Sequence, residues 1–207
     1  MPIERINTYD DPRFSREARV QHGCYLVDGA PSEVLIVAED TAVIRGCPAA
    51  GIAKLIDAFR FNAPHITRFL GADGALLAEL PPVIPFPVAL ADIQPSQFFV
   101  DEEKLAAVST FIHRAEDVII PVIAHPAELG RFISLDGHTR LHIAARRGWT
   151  HVRAVSDTAD DVLLAFAAEA TRRGVRTPAD MTLLSHADYE VQWNRFCDDF
   201  MASLPDA

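Results

Sequence analysis

The sequence predicts an α+β fold in two parts, on three observations. Short apolar runs separated by turn residues fill the first third, a proline-rich stretch follows, and strand and helix patterns alternate after it. The 207 residues allow one full domain or two small ones. Apolar residues at 49% and charged residues at 23% mark an ordinary globular chain rather than a disordered one.

Residues 1–19 are polar and irregular and read as an arm over the surface. Cys24-Tyr25-Leu26-Val27, Val34 to Ala38 and Ala42-Val43-Ile44 are apolar runs bounded by Asp28-Gly29-Ala30-Pro31 and Glu39-Asp40, the pattern of a small antiparallel meander. Ile52, Leu55, Ile56 and Phe59 stand at helical spacing, so one amphipathic helix follows. Ile66 to Leu80 reads as a hairpin turning at Gly71-Ala72-Asp73-Gly74. These elements make a small α+β domain over 1–80. In Pro81-Pro82-Val83-Ile84-Pro85-Phe86-Pro87 four prolines forbid a helix and stiffen an extended connector, taken as 81–89.

The second part, 90–207, alternates strand, helix, strand, strand, helix, strand. Asp101 caps a helix whose first turn holds Glu102 and Glu103 and whose apolar stripe is Leu105, Val108, Phe111 and Ile112. Val118 to Ala124 and Phe132 to Leu135 are strands joined through His125 to Gly130. A helix from His138 ends at Gly148, a left-handed terminator, and His151 to Val155 is the next strand. Asp157-Thr158 caps a helix carrying Val162, Leu163, Phe166 and Ala170. A last helix begins at Ser185-His186-Ala187-Asp188 and carries Tyr189, Trp193, Phe196 and Phe200, the seam of a docking helix.

Composition excludes several classes. No apolar run approaches the 18 or so residues of a membrane span, so no membrane partner is expected. Met1-Pro2-Ile3-Glu4-Arg5 meets Asp10 and Asp11 before any apolar stretch, unlike a secretory signal, and the expected address is cytoplasmic. Cys24, Cys47 and Cys197 are too scattered for a disulfide framework or a zinc site and read as small buried apolar groups. The net charge is −10, which repels a phosphate polymer and argues against nucleic acid. From Arg131 to Arg176 eight arginines face five acids, so a local segment can still hold one small phosphorylated ligand.

The chemistry concentrates in Asp136-Gly137-His138-Thr139-Arg140, where a strand runs directly into a helix. A helix start offers unpaired amides and the positive dipole end, and glycine admits a ligand close to that backbone. Thr139 adds a hydroxyl and Arg140 a bidentate guanidinium, so Gly137, His138, Thr139 and Arg140 form a candidate phosphate-binding turn. Asp136 suits magnesium, proton transfer or the orienting of His138; the plainer reading makes it a helix cap. His138 and His142, four apart, have the spacing of two metal ligands on one helix face, with His151 a conceivable third, but spacing alone is a weak motif. Ser134 lacks the glycines of a nucleophile elbow.

Over residues 90–156 the motif order resembles the ParB/sulfiredoxin superfamily. Asp92-Ile93-Gln94-Pro95-Ser96-Gln97 is similar to its opening strand and I-x-P turn, Asp101 to Ile112 to its first helix, and Ile120-Pro121-Val122-Ile123 to its P-I-x-V strand. Asp136 to Arg140 resembles the turn before its second helix, and Gly148 to Val155 its return strand. The resemblance implies a ParB/sulfiredoxin-like α/β domain with a C-terminal helical extension, and places the His125–Gly130 loop near the turn, where it reads as a substrate lid or, more plainly, as an ordinary connector. Sulfiredoxins need a cysteine at the position of His138, which excludes their activity. ParB proteins carry Gly-Glu-Arg-Arg at the turn and a basic helix-turn-helix after it, and neither is evident.

The turn is most similar to the Asp-Gly-x-His-Arg turn of free-serine kinases. That resemblance implies a nucleotide-dependent kinase acting on a small hydroxylated metabolite, free L-serine first, with Mg2+ and ATP, ADP or CTP. It implies Asp136 and His138 as catalytic residues, Asp136 as the magnesium ligand, and Gln97 and Glu102 at the substrate. The kinases' acidic base falls at Gln97, which cannot take a proton, so that role would move to Asp136, Asp101, Glu102 or Glu103; Thr139 replaces the kinases' second histidine. The alternative is a non-catalytic CTP- or ATP-binding ParB-like regulatory protein, with or without DNA. Residues 1–80 match nothing in those kinases and stay open as a substrate module, a dimerisation surface or an ornament. A homodimer is one of the oligomeric states left open.

Overall fold

A computed structural model describes residues 1–204, and the protein is α+β. The chain forms two compact units, Met1–Ile84 and a second that begins at Pro85. No helix among the described residues is long and apolar enough to cross a membrane.

The first unit is a six-stranded sheet in sequential order: β1 (Ile3–Ile6), β2 (Cys24–Val27), β3 (Ala30–Ile36), β4 (Thr41–Arg45), β5 (Arg68–Gly71) and β6 (Leu76–Glu79). A short helix, α1 (Arg16–Val20), follows β1, and α2 (Ile52–Arg60) links β4 to β5, which pair in parallel. The residues expected to form a surface arm thus supply an edge strand and a helix. Polar alternation conceals β1, whose Ile3 and Ile6 pair with Val27 and Cys24. Side chains alternate across a strand, so Tyr25, Val27, Val34 and Ile44 meet Leu55, Ile56 and Phe59 of α2. Cys24 and Leu35 turn to the other face, where Phe14 and Ala18 cover them. Each large apolar side chain so buried contributes about 1.5–3 kcal/mol before entropy is charged against it.

The second unit opens with β7 (Phe86–Ala89), so part of the stretch expected as a connector is a strand. Pro87 is tolerated because β7 is an edge strand, paired antiparallel with β12. Then come β8 (Ile93–Pro95), β9 (Phe99–Asp101), α3 (Glu102–Val108), β10 (Ile119–Ala124), β11 (Phe132–Ser134), α4 (His138–Arg146), β12 (His151–Ser156) and α5 (Asp161–Arg172). The central sheet has the order β7-β12-β10-β11-β8, with β10–β12 and β8–β11 parallel and β10–β11 antiparallel. Asp160, rather than Asp157, caps α5, accepting from Leu163 N at 2.9 Å. Gly148, at φ 70°, turns the chain out of α4.

The end of the chain differs most from expectation. A strand β13 (Thr182–Leu184) pairs in parallel with β9, and the single helix foreseen after it is three pieces. These are α6 (His186–Tyr189), a π-helical turn over Glu190–Asn194, and α7 (Arg195–Ser203). Aromatic contacts hold them to the core: Phe98 meets Trp193 edge-on at 4.8 Å, Phe166 meets Phe200 at 4.9 Å, and the Arg173 guanidinium lies 4.3 Å from the Phe98 ring centre.

Candidate functional site

The turn from β11 into α4 is built locally. Leu135 N donates to Pro121 O at 3.0 Å, which ends the strand, and Gly137 takes φ 80° and ψ 19° as the N-cap residue of α4. The N-cap residue, being glycine, has no side chain with which to cap the helix, and the first-turn amides of α4 lie directly behind it. A Cβ at Gly137 would stand 2.6 Å from Ile120 Cγ2 and 2.9 Å from Arg140 Nη2, besides the left-handed φ. Gly137→Ala should therefore lower stability by at least about 1–2 kcal/mol, the cost of the left-handed conformation alone. Urea unfolding checks this; an unchanged midpoint would show that the turn tolerates a side chain.

Arg140 folds back over the turn. Its Nη1 donates to Ile119 O at 2.5 Å and its Nη2 to Asp136 Oδ2 at 3.3 Å. The two side chains are 18% and 32% exposed, so this charged pair is within reach of a ligand. These bonds orient the planar guanidinium fork over the turn.

His138 faces inward. Ser96 Oγ gives its one proton to Ser134 O at 2.8 Å, so at 3.1 Å from His138 Nε2 it can only accept. The ring therefore carries its proton on Nε2 and braces the turn against the opening strand. Burial pushes its pKa down to about 4; Lys104 and Arg140 push the same way and Asp136 opposes them. The ring is neutral near pH 7, and what His138 offers a ligand is its backbone amide. Thr139 is also buried.

Gln97, next to Ser96, has its Nε2 donating to Phe99 O at 2.5 Å and to Tyr189 Oη at 3.0 Å. Glu102 is exposed at the start of α3. The turn thus gathers Asp136, Gly137 and Arg140 with the amides of His138 and Thr139, while neither Gln97 nor Glu102 makes a bond to these residues among the contacts seen. The antiparallel β10–β11 hairpin puts the His125–Gly130 loop and the turn at opposite ends of β11, so the loop is not a lid over the turn. A pocket of about 290 Å³ lies beside that loop, and its Glu128 is engaged by Arg131 at 2.9 Å and Arg176 at 3.1 Å.

His142 is buried one turn along α4, its pKa lowered by burial, while His151 is exposed and contacts Thr150 Oγ1. Among the described residues no three His, Cys, Asp or Glu side chains come together to hold a metal. Burial pushes the Cys24 and Cys197 thiols up to about 11, so neither is a ready nucleophile. Sequence reading missed one pair. Asp101, taken as a cap and as one of the carboxylates that could replace Gln97 as base, accepts a 2.7 Å bond from His186, 85 residues away, and no local signal joins them.

No family model and no curated protein matches the chain. Among solved structures it is similar to protein Atu1540 from Agrobacterium tumefaciens, with a TM-score of 0.35 and 13% identity over 61% of this chain and 83% of that one. A likeness at that score carries no argument about function.

Proposed function

We propose that the turn 136–140 binds the phosphates of a nucleotide and that the protein passes the terminal phosphoryl group to the hydroxyl of a small metabolite, free L-serine being the first to test. The observation that carries this reading is the start of α4 at the left-handed Gly137, with the Arg140 guanidinium folded across it and paired to Asp136. Amides and guanidinium would hold the phosphate oxygens and neutralise charge that grows as the bond breaks. Gly137, with no Cβ, lets the Arg140 guanidinium lie against the backbone of the turn. The cytoplasm, where such nucleotides abound, is the compartment this reading implies.

Magnesium fits the residues present. It commonly takes one or two carboxylates from a protein and its other ligands from phosphates and water, and Asp136 is a half-buried carboxylate beside the phosphate-binding amides. Bound there with a nucleotide, the ion would supply charge neutralisation across the phosphates. Asp136 would also hold Arg140 in place through their ion pair.

A second reading, a nucleotide-binding regulatory protein without turnover, is favoured by Gln97, whose amide is held by Phe99 O and Tyr189 and accepts no proton. One experiment separates the two. The protein is incubated with Mg-ATP, Mg-ADP or Mg-CTP and L-serine, and phosphoserine and nucleotide affinity are both measured. Arg140→Ala should weaken nucleotide binding by about 1.5–3 kcal/mol, roughly tenfold to a hundredfold. Equal affinities in the two proteins would remove the turn as the site.

A further inference from the structure

Asp101 does more than cap α3. Its Oδ1 accepts from Glu103 N at 2.9 Å, which satisfies the helix, and its Oδ2 is bonded to His186 Nδ1 at 2.7 Å. The aspartate side chain is 7% exposed and the histidine 45%. A carboxylate only accepts, so Nδ1 carries the proton and the lone pair of the neutral ring sits on Nε2. A buried carboxylate fixing the tautomer of a partly exposed imidazole is the arrangement that makes a general base.

Its place in the fold adds to this. His186 opens α6, and Tyr189, three residues on and so on the same helical face, binds Gln97. Ser96, the neighbour of Gln97, braces His138 in the candidate phosphate turn. Lys104, one turn along α3 from Asp101, is close enough to His138 to act on its charge, and α3 packs against α4. The helical segment then widens into a π-turn at Glu190–Asn194, a distortion frequent at functional sites. The couple is therefore linked through Tyr189, Gln97 and Ser96 to the candidate phosphate turn.

We propose that His186, oriented by Asp101, is the general base that takes the proton of the acceptor hydroxyl; the proposal rests on the phosphoryl-transfer reading of the Gly137 turn. The hydroxyl oxygen attacks the terminal phosphorus, an O–P bond forms, and the bond from that phosphorus to the bridging oxygen breaks. The electron pair stays with the shortened nucleotide, and the hydroxyl proton passes to His186 Nε2 and then to water. The charged groups that act on His186 are Asp101, Glu103 and Glu190, all acidic; the Asp101 bond is the foremost cause of its raised pKa, partial desolvation opposes it, and the three acidic charges add to it. Turnover should accordingly rise with pH as the ring loses its proton, along a limb above the ordinary histidine value.

The test compares wild type, His186→Ala and Asp101→Asn in transfer from Mg-ATP, Mg-ADP and Mg-CTP to L-serine, L-threonine and glycerol, with nucleotide affinity measured in parallel. His186→Ala should lose about a hundredfold or more in turnover, keep its nucleotide affinity, and recover part of the rate when imidazole is added. Asp101→Asn should move the pH limb downward. A merely structural pin would give neither imidazole rescue nor a shifted limb. His186→Ala turnover within a few-fold of wild type, or a folded variant that imidazole does not rescue, overturns the base assignment alone. A wild type that binds nucleotide but phosphorylates nothing in the panel overturns it together with the transfer reading. Should His186→Ala not fold, an unmoved limb in Asp101→Asn overturns the assignment.

Discussion

Asp136→Asn is expected to fold with near-normal stability and to lose about a hundredfold or more in phosphoryl transfer, the scale of a lost acid–base or charge-positioning group. The change keeps shape and removes one charge. Asp136 is 32% exposed and its ion pair with Arg140 is part-solvated, so the stability cost is small, up to about 1 kcal/mol. Binding should move the other way. A carboxylate beside phosphate oxygens repels them unless a cation lies between, so the Asn variant should bind magnesium-free nucleotide at least as tightly as wild type and lose most of the tightening that magnesium brings. Calorimetric titration with and without magnesium, beside a turnover assay, measures both. Turnover within a few-fold of wild type would reduce Asp136 to the partner that holds Arg140 over the turn.

Acid should unfold the second unit earlier than its carboxylates alone would require, and His138 is the main cause. The ring is buried, donates to Ser96, and has its pKa pushed down to about 4 from an ordinary 6.5. Between those values the unfolded chain binds a proton that the native protein does not, so stability falls as pH drops from about 6.5 to 4. The full loss is of order 3 kcal/mol. His142, also lowered by burial, acts in the same direction. His186 acts oppositely and weakly: its pKa is raised, so its contribution is present below pH 6.5 and fades as pH rises through the folded value. The paired carboxylate Glu169, held at about 2, loses its contribution only as pH falls below its ordinary 4.5. His138→Gln keeps a donor for Ser96 and cannot titrate, so its urea midpoint should change with pH between 4.5 and 6.5 much less steeply than that of wild type. Parallel profiles would show that the His138 ring is reached by water.

The sequence by itself determined what depends on neighbours in the chain. The α+β class, the antiparallel meander from Cys24 to Ile44, α2 and the turn at Gly137 all follow from period-2 or period-3.6 apolar spacing and from residues suited to one backbone geometry. The geometry of the candidate turn was legible to the same depth: a glycine between strand and helix with an arginine one turn on is a local pattern, and the strand end, the left-handed Gly137 and the folded-back Arg140 follow it. Tertiary structure decided everything that joins distant residues. β1 is a strand because Ile3 and Ile6 find Val27 and Cys24, and β9 because a second strand arrives from residues 182–184. His138 is a neutral brace rather than an exposed base because packing buries its ring against Ser96, 42 residues earlier. His186 meets Asp101 only because the aromatic residues of the C-terminal helices dock on Phe98 and Phe166. Local spacing constrains dihedral angles, which each residue settles with its neighbours. Burial, tautomer and pairing depend on which surfaces meet, and that is settled by the packing of the whole unit.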